Sequence, residues 1–307
     1  MSLNSLSFSS EPGDTPANRP FAERWLTREK LIACVITIIF FSMISLFALR
    51  KFEAAVTFHP LRYSSNSLWT LPEGAEDVWL TTSDNVRLNG WLVRSGTQPS
   101  NATIIYFHGN GGNISHVAWV GKNLASRGFD VLLVDYRGYG RSDGEVDGES
   151  ELNLDGDAAY NYIVNMRGVG PEKVVLFGQS LGTTVAVDLA SRKPCGAVIL
   201  ESGLSSAREM AAQVLPWIAR PLYALGKNRF ESARKLAQVK SPILVTHGDP
   251  DPIIPVEQAR KLYAAANEPK KLLIYPGAGH NVHGTVGQEY LDEVSSFIDG
   301  AISKNPR

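Results

Sequence analysis

The chain has 307 residues, with 30 Lys and Arg against 31 Asp and Glu, and a formal net charge of −1. This balance excludes a protein that binds nucleic acid through a strongly basic domain. Hydrophobic residues make up 44% and charged residues 20% of the chain, which excludes disorder throughout. The two cysteines, Cys34 and Cys195, are too few for a disulfide scaffold or a cysteine-ligated zinc site.

The first organising feature is an apolar run near the N-terminus. Leu31 to Leu49 contains 19 residues without a charge, bounded by Lys30 and Arg50. A helix of this length spans about 28 Å, which is close to the hydrocarbon thickness of a bilayer. The run therefore predicts one transmembrane helix over residues 31–49, preceded by a disordered tail over residues 1–30. A cleavable signal peptide is the alternative, but no Ala-x-Ala site follows Leu49.

Basic residues on either side of this run predict its orientation. Four precede it and three follow it, namely Arg19, Arg24, Arg28 and Lys30, then Arg50, Lys51 and Arg62. The slight excess on the N-terminal side favours a cytoplasmic N-terminus. The sequence therefore predicts a single-pass membrane protein whose residues beyond 52 lie on the non-cytoplasmic side.

Residues 53–307 have the pattern of one α/β domain, because short β-branched runs alternate with amphipathic helical patterns. The strand candidates are Val78–Thr82, Leu88–Val93, Thr103–Phe107, Val131–Asp135, Val174–Phe177, Ala197–Leu200, Ile243–Thr246 and Leu272–Tyr275. The helix candidates lie near Ile114–Arg127, Leu152–Met166, Leu181–Arg192, Glu257–Ala266 and Glu289–Ile302. This alternation predicts a mostly parallel sheet covered on both faces, with only the first strand pair as an antiparallel hairpin. The functional site of such a sheet lies at the carboxyl ends of its strands.

The sharpest motif is Gly178-Gln179-Ser180-Leu181-Gly182, which fits G-x-S-x-G between a strand pattern and a helix pattern. Glycines two positions from the serine allow a turn so tight that the serine oxygen is exposed at the start of the helix. Negative charge that develops there is favoured by the helix dipole. An ordinary glycine-rich turn is the alternative, but the strand and helix on either side indicate that Ser180 is a nucleophile.

A serine nucleophile needs a base and an orienting acid, which follow in the chain order Ser, Asp, His. His280 follows the last strand candidate in a short glycine-rich loop, and it is favoured over His283. Asp249 and Asp251 both follow the seventh strand candidate. Loop geometry alone does not choose between these two carboxylates.

The loop His108-Gly109-Asn110-Gly111-Gly112-Asn113 follows the third strand candidate. Acyl transfer needs two N–H donors near the developing oxyanion, commonly one from this loop and one from the residue after the serine. We therefore expect the backbone amides of Asn110 and Leu181 to form the oxyanion hole, with His108 as an anchor of the loop. A phosphate-binding loop is excluded because no Gly-Lys-Ser/Thr follows.

With these motifs in order, the chain from Val78 to Ile302 resembles the serine-hydrolase branch of the α/β-hydrolase superfamily. The segment Asp135-Tyr136-Arg137-Gly138-Tyr139-Gly140-Arg141-Ser142 also matches. More narrowly, the chain is similar to membrane-anchored hydrolase-domain proteins with one N-terminal span and a short cap, which include lysophospholipase-like, depalmitoylase-like and aminopeptidase-like members.

This resemblance implies an α/β-hydrolase fold with a mostly parallel eight-stranded sheet and a short cap at about residues 203–240. The family pattern H-G-x-x-D selects Asp251 over Asp249 as the acid, and it makes Asp135 a structural aspartate. A dehalogenase or epoxide hydrolase of this fold would carry aspartate at the position of Ser180. The segment from Gly138 to Gly144 imitates a dinucleotide fingerprint, but its last glycine comes one place late.

The sequence therefore predicts a monomeric, membrane-anchored serine hydrolase with no cofactor and no metal. Its expected substrate is an ester, thioester or amide of a small or lipid-like acyl group. In the cap, the apolar stretch from Trp217 to Leu225 either packs on the sheet or forms a rim for an acyl chain or a bilayer. The alternative function is a catalytically silent hydrolase fold that serves as a membrane-tethered binding module.

Overall fold

The computed structural model describes residues 28–64, 69–214, 217 and 226–303. The predicted tail up to residue 27 therefore lies outside the described residues. So does most of the apolar stretch of the cap, of which Trp217 alone is described, with an exposed side chain.

The apolar run forms helix α1, Arg28–Thr57, which extends beyond the predicted span of 31–49 at both ends. Arg28–Lys30 is consequently helical and does not belong to the tail. Within the described ranges, α1 is the one helix that is long and apolar enough to cross a membrane. The chain divides into two compact units after Leu49, and the second unit begins at Arg50.

The second unit contains the eight strands that the sequence predicts. They are β2 Ala75–Thr81, β3 Arg87–Val93, β4 Ala102–Phe107, β6 Phe129–Val134, β7 Val174–Gln179, β8 Ala197–Glu201, β9 Ile243–Asp249 and β10 Lys270–Pro276. Their order across the sheet is β10-β9-β8-β7-β4-β6-β3-β2. The six strands from β10 to β6 run parallel, which confirms a mostly parallel sheet.

The antiparallel part of the sheet is larger than the single hairpin predicted. Strand β3 pairs antiparallel with β2 and also with β6, where Gly90 lies opposite Val134. A second, two-stranded pair was not predicted at all. It joins β1, His59–Pro60, to β5, Gly111–Gly112, in parallel.

Helices cover both faces of the sheet. They are α2 Ala118–Ala125, α3 Glu149–Asn161, α4 Gly182–Arg192, α5 Ala207–Val214, α6 Ser232–Leu236, α7 Glu257–Ala265, α8 Val282–Val286 and α9 Gln288–Ser303. One hydrophobic core contains residues of α3, α4 and α7, and the other contains residues of α2 and α9. Between these layers the inner parallel strands are buried on both faces, so they consist of nearly continuous apolar runs such as that of β4.

Candidate active site

Ser180 lies in the turn between β7 and α4, where the sequence places the nucleophile. Its φ angle is +53°, in the left-handed region that side chains other than glycine rarely adopt. The strained turn is fixed by a hydrogen bond from the Ser180 amide to the carbonyl of Glu201 at the end of β8, at 2.8 Å. Strain of this kind at a strand-to-helix turn is typical of a functional residue rather than of a simple connection.

The glycines on either side of Ser180 are required by close packing of the backbone. A Cβ at Gly178 would lie 2.4 Å from the carbonyl oxygen of Gly182. A Cβ at Gly182 would lie 2.0 Å from the carbonyl oxygen of Phe107, at the end of the neighbouring strand β4. The turn therefore excludes any larger residue at these two positions, as the sequence pattern predicts.

Asp251 and His280 meet beyond the carboxyl ends of β9 and β10. The His280 Nδ1 atom lies 2.7 Å from Asp251 Oδ2. Asp251 is buried, and burial alone would raise its pKa. Hydrogen bonds from His247, His280 and the amides of Ile254 and Ile253 outweigh this and lower the pKa of Asp251. The carboxylate is therefore ionised near neutral pH and acts only as an acceptor, so the hydrogen bond runs from the N–H at His280 Nδ1 to Asp251 Oδ2.

The geometry also distinguishes Asp251 from Asp249, between which the loop sequence alone does not choose. Asp249 is the exposed last residue of β9, whereas Asp251 is buried and contacts His280. His247 was not predicted as part of this site, yet its Nε2 lies 3.2 Å from the same Oδ2 of Asp251. The signal was its position as the first residue of H-G-x-x-D, which places both side chains at one strand end.

The loop after β4 lies directly beside Ser180. A Cβ at Gly109 would lie 3.4 Å from the Ser180 Cβ atom, which is ordinary van der Waals contact. Among the described residues, the backbone N–H groups of Asn110 and Leu181 have no hydrogen-bond acceptor. Both amides are consequently available to a ligand.

His108 anchors this loop instead of facing the site. Its ring is buried, with Nδ1 at 2.7 Å from the Gly109 carbonyl and Nε2 at 3.4 Å from Asp135. Asp135 is also fully buried and accepts a hydrogen bond from the Ile114 amide at 2.9 Å. Burial raises the pKa of Asp135. These contacts agree with the structural role that the resemblance implies for Asp135.

Glu201 was missed by the sequence analysis, and it is a buried residue that lies beside the amide of His283. Glu201 accepts a hydrogen bond from the Tyr290 hydroxyl at 2.7 Å, and burial raises its pKa. His283, the rejected base candidate, is buried beside it and packs on Trp119 and Tyr290. An apolar strand end gives no signal for such a group, because only the folded loops show that Glu201 lies beneath them.

The structure therefore brings Asp251 and His280 together, and it brings Ser180 and the Asn110 loop together. Among the described residues, no hydrogen bond joins Ser180 to His280. Both residues follow parallel strands of one sheet and lie at the same edge of it. Catalytic hydrogen bonds are often long without substrate and tighten only in the complex.

Comparison with known proteins gives the family. The profile of the alpha/beta hydrolase fold matches residues 102–234, and that of serine aminopeptidases matches residues 228–285. The mouse alpha/beta hydrolase domain-containing protein 17C is 36% identical over 238 residues, which cover 77% of this chain and 70% of that protein. The chain belongs to the α/β-hydrolase family.

Two further relatives of this α/β hydrolase span most of its length. The protein YfhR of Escherichia coli is 35% identical over 250 residues, which cover 76% of this chain and 83% of that protein. The esterase Pf2001 of Pyrococcus furiosus superposes with a TM-score of 0.63 at 26% identity, over 80% of this chain and 98% of that one. Hydrolase chemistry is thus the property that the family and its solved structures share with this chain.

Proposed function

We propose that this α/β hydrolase is a membrane-anchored serine hydrolase that works through an acyl-enzyme. The observation that carries the proposal is the strained Ser180 at φ +53° between β7 and α4, at the same edge of the sheet as the Asp251–His280 pair. A silent binding module has no need of a strained serine beside a loop with a free amide, or of a buried aspartate that contacts a histidine at the same edge of the sheet.

In the proposed reaction, Ser180 Oγ attacks the substrate carbonyl while His280 Nε2 takes its proton. Asp251 accepts the hydrogen bond from Nδ1, so it fixes the tautomer and stabilises the imidazolium that forms. The amides of Asn110 and Leu181 bind the oxyanion. His280 then protonates the leaving group, and water attacks the acyl-enzyme with His280 as its base. The step needs no cofactor and no metal.

The proposed substrate is an ester, thioester or amide of a small or lipid-like acyl group. The esterase among the similar structures favours ester-type substrates, whereas the aminopeptidase profile keeps amides open. Assays with acyl esters and thioesters of graded chain length, and with aminoacyl amides, separate these classes.

We further propose that α1 anchors a monomer in the membrane as a single span. The most apolar window of this helix has no buried residue, as lipid-facing side chains require. The excess of basic residues before the span supports a non-cytoplasmic catalytic domain. Protease digestion of sealed vesicles of known orientation tests this placement.

The test of the nucleophile is hydrolysis of a small chromogenic ester by Ser180→Ala. We expect kcat to fall by at least about 10³-fold, because members of a triad act as a unit. Ser202→Ala is the matched control, since Ser202 is also a buried serine with positive φ, at 49°, at the next strand end. Retention of a tenth of the wild-type rate in Ser180→Ala, or equal losses in both variants, would overturn the proposal.

A further inference from the structure

The last residue of the apolar helix and the residues after it run along the loop proposed to bind the oxyanion. We call Thr57–Leu61 the linker segment and His108–Asn113 the oxyanion loop. Strand β1 of the linker segment pairs with β5 of the oxyanion loop, where His59 lies opposite Gly111. The amide of Leu61 also donates to the carbonyl of Gly112, at 3.4 Å.

The Asn110 side chain makes three polar contacts with the linker segment. Its Nδ2 group donates to the Thr57 carbonyl at 2.5 Å and lies 3.2 Å from His59 Nδ1. Its Oδ1 atom accepts from the His59 amide at 3.0 Å and from the Tyr139 hydroxyl at 3.0 Å. Two donors and two acceptor sites are all that an amide side chain has, so the linker segment and Tyr139 occupy nearly all of them.

Other bonds hold the linker segment itself in place. The Leu61 carbonyl accepts from the side chain of Asn113 at 3.0 Å and from the Gly140 amide at 3.0 Å. The Tyr63 amide donates in turn to the Gly140 carbonyl at 2.7 Å. The linker segment is therefore fixed to two separate loops, and it gives the Asn110 side chain a rigid partner.

Asn110 thus combines two functions in one residue. Its backbone N–H is one of the two free amides beside Ser180, and its side chain is held by the linker segment. An oxyanion donor lowers the barrier only when it is fixed in advance at the place where the charge develops. Small displacements of such a group are costly, because the reaction requires closely defined distances.

We propose that Asn110 is a positioning residue through which the linker segment fixes the oxyanion amide. The stretch that joins the anchor to the hydrolase is then part of the catalytic site. This inference rests on the proposed function, because it assigns a task within acyl transfer.

The test uses full-length protein in detergent micelles and a small chromogenic ester. Asn110→Ala removes all the side-chain contacts of Asn110 with Thr57, His59 and Tyr139 but keeps its backbone amide. Asn110→Asp keeps the acceptor for the His59 amide and loses the donor to Thr57. We expect kcat to fall about tenfold in Asn110→Ala and less in Asn110→Asp, with KM nearly unchanged, since a loosened donor costs less than a deleted one.

Asn267→Ala is the matched control. The Asn267 side chain also bridges two backbone carbonyls, of Ala237 at 3.0 Å and Val239 at 2.9 Å, but at the amino ends of β9 and β10, whereas the site lies at their carboxyl ends. Its loss should lower the melting temperature as Asn110→Ala does, without a change in kcat.

A second measurement distinguishes positioning of the oxyanion amide from a purely structural role of the Asn110 side chain. It is the inhibition constant of a trifluoromethyl ketone, whose adduct with serine carries an oxyanion, and a purely structural role would leave this constant unchanged. This constant should rise in Asn110→Ala by about the factor by which kcat falls. Wild-type kcat and inhibition in both Asn110 variants, or equal kcat losses in Asn110→Ala and Asn267→Ala, would overturn the inference. Activity that survives Ser180→Ala would instead overturn the proposed function, so the two failures are distinguishable.

Discussion

The charged form of Asp251 is stabilised by two histidine side chains and two backbone amides. His280, His247 and the amides of Ile253 and Ile254 all contact its two oxygens. The Oδ2 atom of Asp251 must be an acceptor. Only an acceptor there favours the His280 tautomer with its proton on Nδ1, in which Nε2 carries no proton.

Replacement of each carboxylate by an amide should show that Asp251 is needed for turnover and that Asp249 is not. We expect Asp251→Asn to lower kcat on the order of 10³-fold or more, because an amide donor at this position favours the wrong histidine tautomer. Asp249→Asn is the matched control and should change kcat little, since Asp249 is exposed. Steady-state kinetics of the two variants check this, and a greater loss in Asp249→Asn would contradict it.

His283 gives the molecule a predictable sensitivity to acid. Burial lowers the pKa of His283 to about 4, from an ordinary value of 6.5. The unfolded chain therefore binds a proton near pH 6.5 that the folded chain takes up only near pH 4. Stability falls as the pH is lowered through this window, by about 3 kcal/mol in total at full effect.

His283→Phe should remove this loss, because a phenyl ring can pack on Trp119 and Tyr290 without titrating. The measurement is the difference in melting temperature between pH 7 and pH 5, which should be smaller in the variant than in the wild type. Equal differences in the two proteins would show that His283 does not cause the acid sensitivity.

At the scale of elements, the loop after β6 is held by an internal ion network. Arg137 is buried, and its Nε donates to Asp155 at 2.8 Å while Nη1 lies 2.7 Å from Asp84. Removal of one partner from a buried ion pair leaves the other charge uncompensated. The network therefore stabilises the loop only as a complete set.

Two arginines of this loop make a matched test. Arg137→Ala should lower the free energy of unfolding by about 3–5 kcal/mol, because it strands the buried Asp155 carboxylate. Arg141→Ala removes a partly exposed pair with Asp77 at 3.1 Å, and it should cost less than about 1 kcal/mol. Denaturant titrations of both variants check the order, and a similar cost for both would contradict it.

The inner parallel strands, such as β4 and β8, were predictable because they are buried on both faces and therefore consist of nearly continuous apolar runs. The antiparallel pairing of β3 with β6 could not be predicted, since the sequence of a strand does not encode the direction of its partner. The β1–β5 pair was missed for another reason. His59-Pro60 and Gly111-Gly112 have neither apolar period nor β-branched residues, and only the folded loop aligns them.

Some residues of the candidate site could likewise be predicted from the sequence, and others could not. Ser180 could be predicted because a strained turn imposes glycines at fixed spacing around it. Asp251 could be chosen over Asp249 only through the family pattern, because both lie within reach of one strand end. The partners of Asn110 could not be predicted, since Thr57 and His59 are distant in sequence and contribute mainly backbone groups.

At the scale of the whole molecule, the apolar helix predicts where the protein resides. Full-length protein should stay with membranes in alkaline carbonate, because a helix satisfies its backbone hydrogen bonds within hydrocarbon. A shortened chain that starts at Arg50, where the second compact unit begins, is the control and should be released as an active ester hydrolase. Recovery of the full-length protein in the carbonate supernatant would contradict the anchor.

In the proposed reaction, Ser180 carries the acyl group during turnover. The most direct measurement is to react the full-length protein with a fluorophosphonate and to locate the adduct by mass spectrometry of its peptides. We expect one adduct per chain, on Ser180, and none in Ser180→Ala. An adduct on another residue, or an unmodified Ser180 in protein that hydrolyses esters, would contradict it.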